Sequence, residues 1–87
     1  MFLSLLMQGL ILRLVRSIPK HQSFTTVDII RMIFGHFYRA VEQPPSNSIN
    51  AIIGKFIKKH CSVYHVDSLT IDDDHGFPTT TAVFVKH

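Results

Sequence analysis

Between positions 47 and 59 the chain sets Asn47, Ser48, Asn50 and Ala51, then Lys55, Lys58 and Lys59. Short amides and hydroxyls pair with the edges of bases, and lysines neutralise phosphate. Ile49, Ile52, Ile53, Phe56 and Ile57 interleave with them at three- and four-residue steps. That period is the mark of a helix with one buried side. An apolar back, short polar groups at the start and lysines toward the end are the residue types of a major-groove reading helix. The same pattern also describes a surface helix whose solvated lysines favour its C-terminal dipole.

Other chemistry is thinly represented. Six histidines stand at positions 21, 36, 60, 65, 75 and 87. Their spacing matches neither a zinc finger nor a His-Glu-x-x-His helix. His75 beside Asp72, Asp73 and Asp74 is the one place a divalent ion would find ligands, and such a run reads more simply as a solvated loop. Cys61 is a single cysteine, so no internal disulfide is expected and a reducing, cytoplasmic setting suits the chain. There is no glycine-rich phosphate loop, no Gly-x-Ser-x-Gly turn and no pair of carboxylates outside 72–74. Neither an enzyme nor a metal or cofactor is therefore expected.

These residues must be carried by a small fold. With 87 residues, 46% of them apolar and 17% charged, the chain is one globular domain. A net charge of +3 is compatible with nucleic acid without requiring it. The apolar start, Met1 to Leu12, is broken by Arg13 and Arg16 before it could cross a bilayer. It also lacks a basic leader and a small-residue cleavage site. It reads as part of a buried helix, with residues 1–6 as either its first turn or an extension.

That first helix is expected over 3–18, with Met7, Ile11, Leu14, Val15 and Ile18 inward and Pro19 as its stop. Thr25 as N-cap with Asp28 three residues on resembles a capping box, and Phe24 precedes it as a staple. The apolar stripe then continues through Ile30, Ile33, Phe34, Phe37, Tyr38 and Val41. It predicts a continuous second helix, although Gly35 could instead end it. Pro44 and Pro45 give the third helix, 46–60, a hard start, with Ser46 or Asn47 as its cap. Beyond it, 63–66 and 81–85 are β-branched and aromatic, which predicts a hairpin around a long polar loop. Residues 68–71 extend its first strand after a bend or pair on their own, and Phe24 supplies a very short strand at the hairpin's edge.

Three helices followed by a hairpin is the winged helix-turn-helix plan, an α+β fold, here as a single domain over 1–87. The steps Ser23-Phe24-Thr25-Thr26-Val27-Asp28, Pro44-Pro45-Ser46-Asn47-Ser48-Ile49-Asn50 and His75-Gly76 before Val83-Phe84-Val85 resemble small winged-helix proteins of phages and prophages. The resemblance covers about residues 10–86. It implies a double-stranded-DNA-binding regulator of phage or mobile-element type. Asn47, Ser48, Asn50, Ala51 and Lys55 would then form the exposed face of the reading helix. Asn50 would pair with adenine N6 and N7, and Ala51 would rest on a thymine methyl. Lys55, Lys58 and Lys59 would contact phosphates, with Arg31 and Arg39 on helix two as further contacts and Lys20 and Thr25 near its start.

Two features depart from that family. A DNA-contacting wing usually carries Arg or Lys near its tip, whereas this one carries three aspartates. Helix three also has no arginine, the commonest reader of guanine. They leave a rival reading open, a protein-interaction module that docks through the acidic wing, 72–75, or through the leucine-rich first helix. The same leucines would suit a homodimer through residues 2–15, which would set two reading helices on a pseudo-palindromic site.

Overall fold

The computed structural model describes residues 3–39 and 48–87. Their elements run α1 (Leu5–Ser17), β1 (Ser23–Thr25), α2 (Thr26–Phe34), α3 (Ile49–His60), β2 (Val63–Asp72) and β3 (Pro78–Lys86). The sheet is antiparallel with order β1-β3-β2, so the last strand in the chain is the central one. Three helices with a three-stranded antiparallel sheet make the fold α+β.

Each helix begins on a side-chain cap. Ser4 Oγ accepts from Met7 N–H at 3.1 Å. Thr25 Oγ1 accepts from Asp28 N–H at 3.1 Å while Asp28 returns a carboxylate to Thr25 N–H at 2.8 Å, a complete capping box. Ser48 Oγ accepts from Ala51 N–H at 3.1 Å, so α3 starts at Ile49, later than the expected 46. Ser46 and Asn47, the expected caps, lie outside the described residues.

The second helix is shorter than its periodicity implies. Gly35 adopts a left-handed conformation, φ 77°, and its N–H closes onto Arg31 C=O at 2.8 Å. That is how a helix ends on glycine. Phe37 is still buried, at 2% exposure, but it reaches the core from irregular chain rather than from a helix. A residue in the correct place for the wrong reason extends the stripe past its real end. Val41, the last residue of that stripe, lies outside the described residues.

The hairpin is longer than expected and its loop shorter. Pairing runs from Val63↔Lys86 to Asp72↔Pro78, leaving only 73–77 as the turn. Residues 68–71 do continue the first strand, after a register shift between His65 and Asp67. An extra residue of this kind bends a strand and increases its twist. At the other edge Phe24 pairs with Phe84, ring centroids 5.6 Å apart.

The core gathers Ile11 and Val15 of α1, Val27, Ile29 and Ile30 of α2, Ile53 and Ile57 of α3, and Phe84 of β3. Burying each such side chain contributes roughly 1.5–3 kcal/mol. Helix α3 reaches α2 closely at Gly54. A Cβ there would meet Thr26 Oγ1 at 3.1 Å, and that buried hydroxyl has no hydrogen-bond partner among the described residues.

Candidate functional site

Helix α3 buries Ile53 and Ile57 and turns Lys55, Lys58 and Lys59 fully outward. None of the three lysines has an ion-pair partner among the described residues. Ala51 lies half-buried beside them, and Ser48 is occupied as the cap. Asn47 lies outside the described residues.

Asn50 is placed differently from its expected role. Its Nδ2–H donates to Thr80 C=O at 2.9 Å, and its Oδ1 accepts from Thr81 Oγ1–H at 3.2 Å. Both ends of the amide therefore tie α3 to β3, and turning it away from the hairpin toward a base edge would break both bonds.

The two arginines of the expected site are also engaged elsewhere. Arg31 pairs with Asp74 at 2.9 Å and reaches Asp72 C=O at 3.5 Å. Arg39 lies past the end of α2, not on it. It donates to Pro78 C=O at 3.3 Å with its guanidinium 5.1 Å over the Phe77 ring.

The acidic turn corrects the picture of a charged wing tip. Asp73 is only 6% exposed. Its Oδ1 accepts from the N–H groups of His75 and Phe77 at 2.9 Å each, and its Oδ2 from Arg39 N–H at 2.8 Å. Asp74 accepts from Phe37 N–H at 2.9 Å and from Arg31. Burial pushes the Asp73 carboxyl up, but the three backbone N–H groups outweigh it and hold it below the usual carboxylate range. Asp74 is likewise held low, chiefly by the Phe37 N–H and the Arg31 side chain. Tyr38 adds a stack between His36, 4.8 Å away, and His75, 4.3 Å away. Two of the three aspartates thus dock the turn onto residues 37–39 and α2. Of the three, Asp72 keeps an exposed side chain with no hydrogen bond or ion pair among the described residues.

The hairpin and α3 enclose a groove of about 970 Å³. Its basic lining is Arg39, Lys55, Lys58 and His65, and no carboxylate of the described residues lines it. Ser68, Thr79, Thr80 and Thr81 line the hairpin side, and Gly54, Phe37 and Phe84 form part of its lining. Sequence reasoning missed the hairpin contribution. The run 79–81 of three threonines was its only local trace, and the placement of His65 and Ser68 on one wall depends on the register shift.

Helix α1 leaves Leu5 and Leu6 at 84% and 86% exposure, while Leu3, Met7 and Leu14 pack onto the core. No helix among the described residues is long and apolar enough to cross a membrane. Nor do the described residues hold a group of three His, Cys, Asp or Glu arranged for a metal ion. Compared with protein-family models, with curated proteins and with solved structures, the chain matches none.

Proposed function

We propose that the chain is a winged helix-turn-helix domain that binds double-stranded DNA, in the manner of a small transcriptional regulator. The element order and the sheet order β1-β3-β2 support that plan. The observation that carries the reading is the groove beside α3: four basic side chains line it, no acid among the described residues does, and the neighbouring Asp73 and Asp74 are tied up by hydrogen bonds to residues 37–39 and Arg31. The outer ridge of α3, with Ala51, Lys55 and Lys58, enters the major groove. One backbone strand then runs along the α3–hairpin groove, within reach of Lys55, Lys58 and the threonine hydroxyls. The hairpin acts as a wall, because its turn is fastened to residues 37–39.

Association of this kind depends steeply on salt. Each neutralised phosphate contributes about −0.9 to the slope of log K against log[salt]. The test is fluorescence anisotropy of a random-sequence duplex at several salt concentrations. Lys55→Ala with Lys58→Ala should weaken binding to every sequence and flatten that slope by about 2. Unchanged affinity in the double variant would sink the reading. The exposed Leu5 and Leu6 favour a second one, a protein-docking or self-associating α1. It gains if the duplex fails to bind even at low salt while Leu5→Ser with Leu6→Ser changes the oligomeric state in solution.

A further inference from the structure

The α3–hairpin groove offers more than a phosphate backbone needs. At about 970 Å³ it falls at the upper end of the roughly 300–1,000 Å³ of small-molecule pockets. Such pockets join an apolar floor to a few polar groups. Phe37 and Phe84, both buried, line this one together with Ile49 and Ala82. The His65 ring tilts against Phe84, centroids 5.5 Å apart. A phosphate has no apolar surface to set against these side chains.

One polar group at the wall is unanswered. Thr26 lines the groove, is 1% exposed, and its Oγ1 has no hydrogen-bond partner among the described residues. A buried hydroxyl in that state is costly. Gly54 lies beside it in the lining, and a Cβ there would stand 3.1 Å from Oγ1. The bare glycine therefore leaves the approach to the hydroxyl open. A ligand oxygen that accepts the Thr26 O–H removes the cost.

The charges leave the groove positive after the nearby acids are counted. Arg39, Lys55 and Lys58 line it. Asp74 is matched by Arg31, and Asp73, which accepts from Arg39 N–H, is set against Arg39. Asp67 lies outside the lining, accepts from Ser68 N–H at 2.7 Å, and offsets at most one lysine. One lysine charge is left over. The start of α3 adds to it, because Ile49, Asn50 and Ala51 line the groove and no acid stands in that first turn. A helix N-terminus carries about half a positive charge. The negative ends of α2 and α3, at Phe34 and His60, both lie outside the lining, as does His87.

We propose that this groove binds a small organic carboxylate with an apolar body, and that the ligand excludes the DNA backbone strand from the same space. The apolar body lies on Phe37 and Phe84, and the carboxylate accepts from Thr26 Oγ1–H and faces Lys55 and Lys58. Exclusion of DNA rests on the function proposed above, whereas binding of the carboxylate does not.

The probe is 2-naphthoate, titrated into the whole chain and followed residue by residue through its amide NMR signals. For about 13 non-hydrogen atoms a Kd of about 1 mM or tighter is expected. The shifts should centre on Thr26, Gly54 and residues 80–84. Neutral 2-naphthamide should bind roughly tenfold more weakly. Thr26→Val, which keeps the side-chain shape, should weaken naphthoate roughly fivefold, and Thr26→Ser should restore it. No shifts at 10 mM naphthoate overturn the proposal. So do shifts centred on Leu5 and Leu6, equal binding of the amide, or a Thr26→Val variant that binds as before. Saturating naphthoate should also displace a bound duplex, and a duplex that stays bound overturns the exclusion. Naphthoate binding without duplex binding sinks the DNA reading and leaves this site standing. Duplex binding without naphthoate does the reverse.

Discussion

Two short stretches each concentrate three like charges: Asp72 to Asp74 in the hairpin turn, and Lys55, Lys58 and Lys59 on α3. In the sequence they are mirror images. In the fold, two of the three aspartates are consumed by backbone N–H groups and Arg31, whereas all three lysines face outward with no ion-pair partner among the described residues. The difference lies in what surrounds each stretch. A tight turn presents several unpaired N–H groups that converge on one point, and a carboxylate there satisfies them at once. A helix surface has no free donors or acceptors to offer, so its lysines stay in water. The aspartates stay ionised but are held in a hydrogen-bond network, whereas the lysines' charge faces water.

Breaking the acidic side should have the largest effect. Asp73→Ala strands three backbone N–H groups that currently share one carboxylate. The melting temperature should fall by on the order of 10 °C, measured by circular dichroism. Removing the lysines should do the opposite of what their number suggests. Lys55→Ala with Lys58→Ala should move the melting temperature by less than about 3 °C, while affinity for duplex falls steeply. A comparable loss of stability in both variants would erase the contrast.

Acid sharpens it further. The folded pKa values of Asp73 and Asp74 are lowered, so their stabilisation is complete above the ordinary carboxylate value of about 4. It is then lost as pH falls through the lowered folded values. Urea unfolding from pH 6 to pH 2.5 should show that decline, and Asp73→Asn with Asp74→Asn should flatten it.

Two smaller effects test how α3 is held. Asn50→Ala should cost about 1–2 kcal/mol of stability through the lost bonds to Thr80 and Thr81. If it instead altered only base preference, the amide would be a reader and not a tether. Gly54→Ala should destabilise by up to about 1 kcal/mol against Thr26, despite alanine's better helix propensity. In a Thr26→Ala background the same change should become neutral or stabilising, a sign reversal readable from urea midpoints.

What was legible in the sequence was local. The capping box needs only Thr25 and Asp28, three residues apart, and the stripe of α3 needs only its own spacing. Phe24 stood out as a lone apolar residue and did become a paired strand. What was illegible depended on distant partners. The direction of Asn50 is set by Thr80 and Thr81, about thirty residues away, and the acidic turn by backbone groups of Phe37 and Arg39. The end of α2 was hidden because Phe37 is buried either way. Lys55, Lys58 and Lys59 were expected on an outer face and lie there, while Arg31 and Arg39 were drawn to the hairpin.

The central position of β3 governs how the molecule can assemble. Ser23 pairs with Val85 and Val63 with Lys86, so both outer strands need the same late segment. Contacts that distant along the chain are slow to close, because the entropy of joining the ends is lost before the pairing stabilises it. A nascent chain that stops short of residue 78 has no sheet at all, and residues 37–39 have no turn to receive them. Folding should thus be a single cooperative event with no stable half-structure, observable as coincident transitions by far-ultraviolet circular dichroism and by the combined fluorescence of Tyr38 and Tyr64.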